Sequence, residues 1–432
     1  MDTPDAQEIA LNNPIILTEI LKQTSVQLRD ARLVSKFWND IVLSLPNTRL
    51  TFCLNDVDDE YAEDEEYTDE DLHTHRLHFF EICSTLNKRL SKRISAEFDT
   101  SMKYGTEEPA APAIYSFGAK LTHVSALFSD TIQTLEISIC IVNFLKYVYQ
   151  ALKNSCPNLT QLQISCEEVE SLNTPFQLGT ITAKPRLTIF SLDYAVDGDR
   201  TCISGLTSLV QEIINASPNL KEVTFPWGCH PDLAHSKCLD SLRIALSELS
   251  EEKDIVPFNG SELWRMLNQV GDQLVSLFFG ENNEIQDISG LGRWKRIEFG
   301  LPKIMPKLKM YRNLFVDVFE CTDILKNIEK MPVLNTLVLG KTTATKSTSL
   351  HDMLQTIFNS GKILGNVRNL KIIEMHDPTL LEHSPNTSKT VKTKNSASLA
   401  VYLIPVAPWP DDLQRPSLTR WRKPHVETRN HS

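Results

Sequence analysis

Two short stretches of the sequence carry residue types that could bind a metal ion or a phosphate group. The first, HTHRLH, places three histidines beside a run of carboxylates. In a helix, His75 and His78 share a face that His73 does not, and no cysteine completes a zinc-binding set. The pattern therefore favours an ordinary solvated helix over a metal site.

The second stretch, LVLGKTT at residues 337–343, has the Gly-Lys pair of a phosphate-binding loop after a strand pattern. Such a loop needs a first glycine five residues before that pair, so that its backbone can curl around the phosphate, and Asn335 stands there. The sequence also lacks a Gly-x-Ser-x-Gly elbow, an HExxH motif and a paired-cysteine zinc pattern. We therefore predict no enzymatic activity and no cofactor.

The net charge of -11 comes from one segment of the chain. Residues 56–71 hold eleven acidic and no basic residues, so the rest of the 432-residue chain is close to neutral. Without a dominant basic region, the chain is not expected to bind nucleic acid. The acidic run could attract a basic partner or accept a phosphate at Thr68, but a disordered, solvated loop is the simpler interpretation.

Cysteine usage and the terminal sequence indicate an intracellular protein. Nine cysteines are scattered along the chain with no Cys-x-x-Cys pair, which suits free thiols in a reducing compartment. The segment MDTPDAQ has no secretory signal pattern, and the most apolar stretch, residues 137–149, is interrupted by polar residues. We expect a cytoplasmic or nuclear protein that does not associate with membranes.

Helical patterns near the N-terminus would position any docking residues there. Asn13 can cap a helix that begins at Pro14, and a second helical pattern runs from about residue 28 to residue 45. The predicted helices lie close in sequence and form a small unit of about 40 residues.

This unit has more apolar surface than it can bury. The stretch RLVSKFW carries two apolar stripes, Val34 with Trp38 and Leu33 with Phe37. One stripe is enough for a local core, and no disulfide or metal set is available to support so small a domain. Another chain, or the rest of this one, must cover the second stripe.

From about residue 121, apolar triplets recur in the spacing Φ-x-x-Φ-x-Φ. Three of them follow a helical pattern that ends at a proline, and the first three begin 27 and 28 residues apart. That period is typical of leucine-rich repeats, whose units need their neighbours to bury their apolar faces; roughly seven to nine are expected. The triplets are Ile132/Leu135/Ile137, Leu159/Leu162/Ile164, Leu187/Phe190/Leu192, Leu220/Val223/Phe225, Leu274/Leu277/Phe279, Leu334/Leu337/Leu339 and Leu370/Ile373/Met375.

The first fifty residues resemble the F-box, a three-helix motif that docks onto a Skp-type adaptor in cullin-based ubiquitin ligases. The family pattern opens with Leu-Pro and an Ile-Leu pair, matched here by Asn13-Pro14 and Ile20-Leu21. It continues through a leucine-rich stretch to Val-Cys-Lys-x-Trp, matched by VSKFW at residues 34–38. The resemblance implies adaptor binding through Pro14, Leu17, Ile20, Leu21, Leu28, Val34 and Trp38.

We therefore predict an α/β chain in four parts. These are a small three-helix F-box at residues 1–50, a linker with the acidic run at 51–120, an irregular leucine-rich-repeat solenoid at 121–381, and a disordered tail at 382–432. The solenoid would be a curved parallel sheet with outer helices.

An F-box followed by leucine-rich repeats is a known arrangement in which the repeats hold the substrate. The resemblance implies a non-catalytic adaptor that joins a target protein, through a Skp-type adaptor, to a cullin for ubiquitin-dependent degradation. The alternative is a leucine-rich-repeat interaction scaffold with no ubiquitin role, whose N-terminal helices cap the repeat array.

Overall fold

The computed structural model describes only part of the chain. Most of the acidic run, at residues 56–68, and most of the predicted tail, at 382–399 and 404–432, lie outside the described residues. The described residues are 11–23, 28–45, 50–54, 69–98, 111–139, 144–166, 179–194, 201–226, 228–245, 260–280, 301–302, 304–314, 330–342, 367–375 and 400–403.

Three short helices form the N-terminal unit: α1, Pro14–Leu21; α2, Leu28–Val34; and α3, Lys36–Ser44. As predicted, Asn13 caps α1, and its side-chain Oδ1 accepts hydrogen bonds from the backbone N–H groups of Ile15 at 3.0 Å and Ile16 at 3.4 Å. Proline at the first helical position suits this start, because that N–H has no partner within the helix.

The second predicted helix is in fact two, because Ser35 interrupts it. This residue is extended, with φ of -162° and ψ of 166°, and its Oγ accepts a hydrogen bond from the Trp38 N–H at 3.1 Å. Ser35 is therefore the N-cap of α3. The single stripe predicted for Val34 and Trp38 does not exist, since the two residues belong to different helices.

Parallel strands form one sheet whose order follows the chain. The twelve described strands pair only with their neighbours in sequence, and the sheet is curved and not closed. Stacked repeats produce this order, because each repeat adds one strand that pairs in parallel with the strand of the repeat before it. The strands are β1, Leu50–Cys53; β2, Arg93–Glu97; β3, Thr134–Ile139; β4, Gln161–Cys166; β5, Ile189–Tyr194; β6, Glu222–Pro226; β7, Ser241–Ala245; β8, Ser276–Phe279; β9, Met310–Asn313; β10, Thr336–Thr342; β11, Asn369–Met375; and β12, Ala400–Leu403.

Helices precede several of these strands and cover one face of the sheet. They are α4, Asp69–Thr85; α5, Ala111–Leu127; α6, Leu145–Lys153; α7, Thr201–Ala216; and α8, Gly260–Val270, with a 3-10 turn at Lys88–Lys92. In α6 and α8, the buried residues recur at helical spacing, which turns one apolar stripe toward the strands. The predicted change from helix to strand at a proline is confirmed for α6 before β4 and α7 before β6, while the third such helix lies outside the described residues.

One continuous core runs along the array, from Leu54 near β1 to Leu370 on β11. The N-terminal unit has a separate small cluster. The α/β fold and the solenoid-like stacking predicted from the triplets are therefore confirmed at this coarse level.

Polar groups join successive repeats. The Asn158 side-chain amide donates to the Asp130 carbonyl at 2.9 Å, and Asn219 donates to the Pro185 carbonyl at 2.8 Å from the matching position. Buried Lys184 donates through Nζ to the carbonyls of Leu152, at 2.9 Å, and Ser155, at 2.5 Å. These bonds satisfy carbonyls that the end of α6 leaves without a helical partner.

The strand register places six of the seven predicted triplets as expected and shifts the seventh. On β11, Leu370 pairs with Leu337, so it holds the second apolar position of its repeat and not the first. Because Ile372 and Ile373 are consecutive, the sequence fits two phases of the spacing. Only the neighbouring strand selects between them.

Two strands inside the array were missed. β7 carries Leu242, which pairs with Val223, and β9 carries Tyr311, which pairs with Leu277. The distance of twice 27 residues from Leu220 to Leu274 therefore does not represent two equal repeats. Between residues 121 and 381 the described strands are β3 to β11, nine in number, at the upper end of the expected range.

The segment predicted as a disordered tail contributes a strand. Ala400–Leu403 pair in parallel with β11, in register with Asn369 to Ile372. An exposed edge strand offers unpaired N–H and C=O groups, so a short run of apolar residues can add to it.

Candidate protein-docking surfaces

Two surfaces of the described chain are candidates for binding other proteins: the N-terminal helical unit and the sheet face that the described helices do not cover. The helical unit is organised by a small core. Its buried members come from all three helices, and Trp38 and Ile41 of α3 pack against them with partial exposure. Arg32 Nε also donates to Asn39 Oδ1 at 2.9 Å, which joins α2 to α3. The buried residues are Leu17, Leu21, Ala31, Val42 and Leu45.

Large apolar side chains remain on the outside of this unit. Leu33 is 81% exposed and Val34 is 60% exposed, although both stand next to the joint between α2 and α3. Ile15 on α1 is 74% exposed. We call Ile15, Ile16, Leu33, Val34 and Phe37 the N-terminal apolar set. Side chains of this size in water cost free energy that burial by a partner would recover.

The structure separates the predicted adaptor-binding residues into two groups. Pro14 and Val34 are exposed, whereas Leu17 and Leu21 are fully buried in the local core. Ile20 and Trp38 are half-buried, and the side chain of Leu28 is outside the described residues.

This separation bears on the predicted docking roles, which remain predictions. Leu17 and Leu21 are buried in the local core, beneath the exposed residues. Leu33 and Phe37, the other predicted stripe, are exposed. Both predicted stripes are divided between α2 and α3, because Ser35 ends one helix and caps the next.

The second surface is the open face of the sheet. Along β3 and β4, buried and half-buried residues alternate strictly, which puts one set of side chains in the core and the other on the opposite face. One row of this open face runs in register across the strands. It contains Glu136, Gln163, Ser191, Thr224, Arg243, Phe278, Arg312 and Val338.

The middle of this row forms a stack of two arginines and one phenylalanine. The Arg243 guanidinium carbon lies 4.8 Å from the Phe278 ring centroid, and that of Arg312 lies 4.6 Å from it. Such cation–π contacts stabilise by about 0.5–2 kcal/mol each, depending on desolvation. We call Arg243, Phe278 and Arg312 the Arg-Phe-Arg stack.

This stack was not predicted, because β7 and β9, which supply both arginines, were not predicted as strands. A signal was present: Leu239, Leu242 and Ile244 follow the triplet spacing and are all buried. Leu239 follows Leu220 by 19 positions, so this triplet falls outside the 27-residue period.

Three buried cysteine thiols are held in the protonated, weakly reactive form. Burial raises the pKa of Cys83 to about 11 and the pKa values of Cys156 and Cys229 to about 12. These thiols are therefore protonated at neutral pH and are weak nucleophiles. Among the described residues, no three His, Cys, Asp or Glu side chains converge as metal ligands.

The Gly-Lys pair of the phosphate-loop pattern lies within a strand. Gly340 and Lys341 pair in the parallel ladder with Ile373 and Glu374 of β11. Backbone N–H groups in a ladder do not form the concave nest that binds a phosphate.

None of the helices that the structure describes is both long and apolar enough to cross a membrane. Comparison of the sequence with known protein families and with curated proteins finds no match.

Proposed function

We propose that this protein is a substrate-recognition adaptor of a cullin-type ubiquitin ligase. In this role the N-terminal unit binds a Skp-type adaptor, and the sheet array holds the target protein. The observation that carries the proposal is the N-terminal apolar set, above all Leu33 and Val34, which stays exposed on a unit that has its own core. The resemblance of the same helical unit to the F-box supplies the partner.

No side chain of the chain performs chemistry in this proposal. Catalysis comes from proximity: a target held by the array meets a charged E2 brought by the cullin, and a bimolecular encounter becomes a tethered one. The separate cores of the two regions suit this division, because each surface can be occupied without repacking the other.

The test is a titration of the full chain with a purified Skp-type adaptor. We expect the variant Leu33→Ser/Val34→Ser to bind the adaptor at least about tenfold more weakly, since it removes two exposed apolar contacts. Its unfolding midpoint should stay close to that of the original chain, because both side chains are solvent-exposed.

The matched control is Leu77→Ser, which removes a 49% exposed leucine from α4, outside the N-terminal unit. It should leave adaptor binding unchanged. Failure of the original chain to bind the adaptor, in both titration and size-exclusion chromatography, would reject the proposal.

The alternative scaffold function draws on one observation, the packing of Trp38 against the core of its own unit. A scaffold predicts that Trp38→Ala lowers the stability of the full chain while no adaptor binds. The adaptor role predicts loss of adaptor binding by the same variant.

A further inference from the structure

We infer that Ser35 is a phosphorylation site, and that a phosphate there prevents a partner from docking on the N-terminal apolar set. The modification itself stands apart from the proposed function. Only the identity of the partner that the phosphate excludes, a Skp-type adaptor, rests on that function.

Ser35 lies in an exposed stretch of the helical unit. All five residues from Leu33 to Phe37 are exposed, and none of them belongs to the small core. The backbone of Ser35 is already extended, and α2 before it has only seven residues, too few to be stable on its own. The segment can therefore enter the cleft of a kinase, where the attacking hydroxyl must lie in line with the γ-phosphate.

Basic residues on both sides of Ser35 suit an arginine-directed serine kinase. Arg32 stands three positions before the serine, and Lys36 follows it directly. Acidic side chains of such a kinase bind an arginine at this distance through charge-assisted hydrogen bonds. Among the described serines and threonines, Ser35 alone has an arginine three positions before it.

Exposure separates Ser35 from the other described hydroxyl groups that follow a basic residue by three positions. Ser91, Ser95 and Thr224 each have a lysine at that distance, but their exposed fractions are 0%, 4% and 5%. A kinase cannot reach such a hydroxyl while the array is folded. The sequence pattern and the exposure coincide only at Ser35 in the part of the chain that the structure describes.

Phosphoryl transfer to Ser35 uses ATP and the kinase as co-reactants. Ser35 Oγ forms a bond to the γ-phosphorus, the bond from that phosphorus to the β–γ bridging oxygen breaks, and ADP leaves. The hydroxyl proton passes to the catalytic aspartate of the kinase. A neutral hydroxyl is thereby replaced by a group with a charge of about -1.5 to -2 at pH 7.

This charge would stand within the N-terminal apolar set. Leu33 and Val34 precede Ser35 directly, and Phe37 follows two positions later. A partner that covers these side chains would also remove water from the phosphate, and burying a charge costs more free energy than the apolar contacts recover. The fold itself is retained, because the N–H groups that begin α3 attract the phosphate and the carbonyls that end α2 repel it.

The test treats the full chain with ATP and an activated calmodulin-dependent protein kinase, whose substrates carry an arginine three residues before the serine. Tandem mass spectrometry should assign a phosphate to Ser35. The modified chain should bind a purified Skp-type adaptor at least about tenfold more weakly than the unmodified chain. Its unfolding midpoint should stay close to that of the unmodified chain.

The matched control is Ser35→Asn, which keeps a side-chain acceptor at the N-cap of α3 but cannot be phosphorylated. Kinase treatment should leave its adaptor binding unchanged, which assigns the loss in the original chain to Ser35 and not to another modified residue. Arg32→Gln should be phosphorylated at Ser35 at least about tenfold more slowly. Lys22→Gln, at an exposed lysine after α1, should be modified at the original rate.

Two results would overturn the inference. The first is no phosphate at Ser35 while a standard peptide substrate in the same reaction is modified, and the second is equal adaptor binding by the modified and unmodified chains. Failure of the proposed function is distinguishable. An unmodified chain that binds no adaptor rejects the adaptor role and with it the effect on docking, whereas a phosphate at Ser35 still establishes the modification site.

Discussion

The N-terminal unit and the sheet array differ in how completely they bury their apolar residues. In the array, each strand adds its core side chains to a cluster that runs from Leu54 to Leu370, so large residues such as Phe190 and Phe279 are fully buried. The N-terminal unit has a core cluster of only five buried residues and leaves Leu33 and Val34 in solvent. A core that grows with each added repeat can bury its apolar residues. A core of three short helices is too small to bury all of its apolar residues, and those left exposed form a surface for a partner.

The largest expected effect tests whether the array has one shared core. Phe190→Ala removes a fully buried ring that makes an edge contact with Phe225 at 6.2 Å. We expect the free energy of unfolding to fall by about 3–5 kcal/mol, because a cavity forms where neighbours cannot collapse. Urea titration followed by circular dichroism measures this loss. Ser191→Ala on the open face of the same strand is the control, and a similar loss there would contradict a shared core.

The second effect tests whether the small core is independent. Leu17→Ala removes a fully buried side chain from the N-terminal cluster and should cost about 2–5 kcal/mol, enough to unfold so small a unit. Limited proteolysis should then cut within residues 11–45, while the urea midpoint of the array stays unchanged. Ile15→Ala, at an exposed site on the same helix, should resist cleavage. A shift of the array midpoint would mean that the two cores unfold together, which contradicts the prediction.

The third effect concerns pH and belongs to the array alone. Burial lowers the pKa of His230 to about 4; Glu262 opposes this shift and Arg265 adds to it. Between pH 6.5 and about 4 the unfolded chain binds more protons at this site, so the free energy of unfolding should fall as the pH falls, by at most about 3 kcal/mol.

Denaturant midpoints measured across this pH range test the third prediction. His230→Gln should flatten the dependence, whereas His235→Gln, at an exposed histidine in the same connection, should preserve it. An equal slope for the original chain and the His230 variant would contradict the prediction.

The smallest effect sharpens the description of the helical unit. Ser35→Ala removes the acceptor of the Trp38 N–H and should cost about 1 kcal/mol. Hydrogen exchange at the Trp38 amide should accelerate accordingly. Ser35→Asp keeps an acceptor at the cap and should restore protection, so acceleration in both variants would assign the effect to something other than the cap.

Much of the array could be predicted from the sequence because its pattern is local. The spacing of Leu135 and Ile137, or of Leu162 and Ile164, states which side chains share a face, and those strands pair as expected. At Ile372-Ile373 two phases fit equally well, and only pairing with Leu337 and Leu339 settles the register. β7 and β9 depart from the regular 27-residue spacing, so only their pairing with the neighbouring strands identifies them as members of the sheet.

The N-terminal unit shows the same division. The sequence determined that Asn13 would cap a helix at Pro14 and that RLVSKFW holds more apolar surface than a small unit can bury. It did not determine which of those side chains face outward. That depended on Ser35, whose cap redirects α3, because the exposure of a side chain is a property of the helices packed around it and not of its own spacing.

Some features of the two docking surfaces were determined by the sequence alone, and others only by the tertiary structure. Composition and spacing determined that the chain stacks α/β units and carries unburied apolar residues near its N-terminus. Tertiary structure alone brought Arg243 and Arg312, 69 positions apart in sequence, against the ring of Phe278. A contact between separate strands follows from register, and register is decided only when the strands pair.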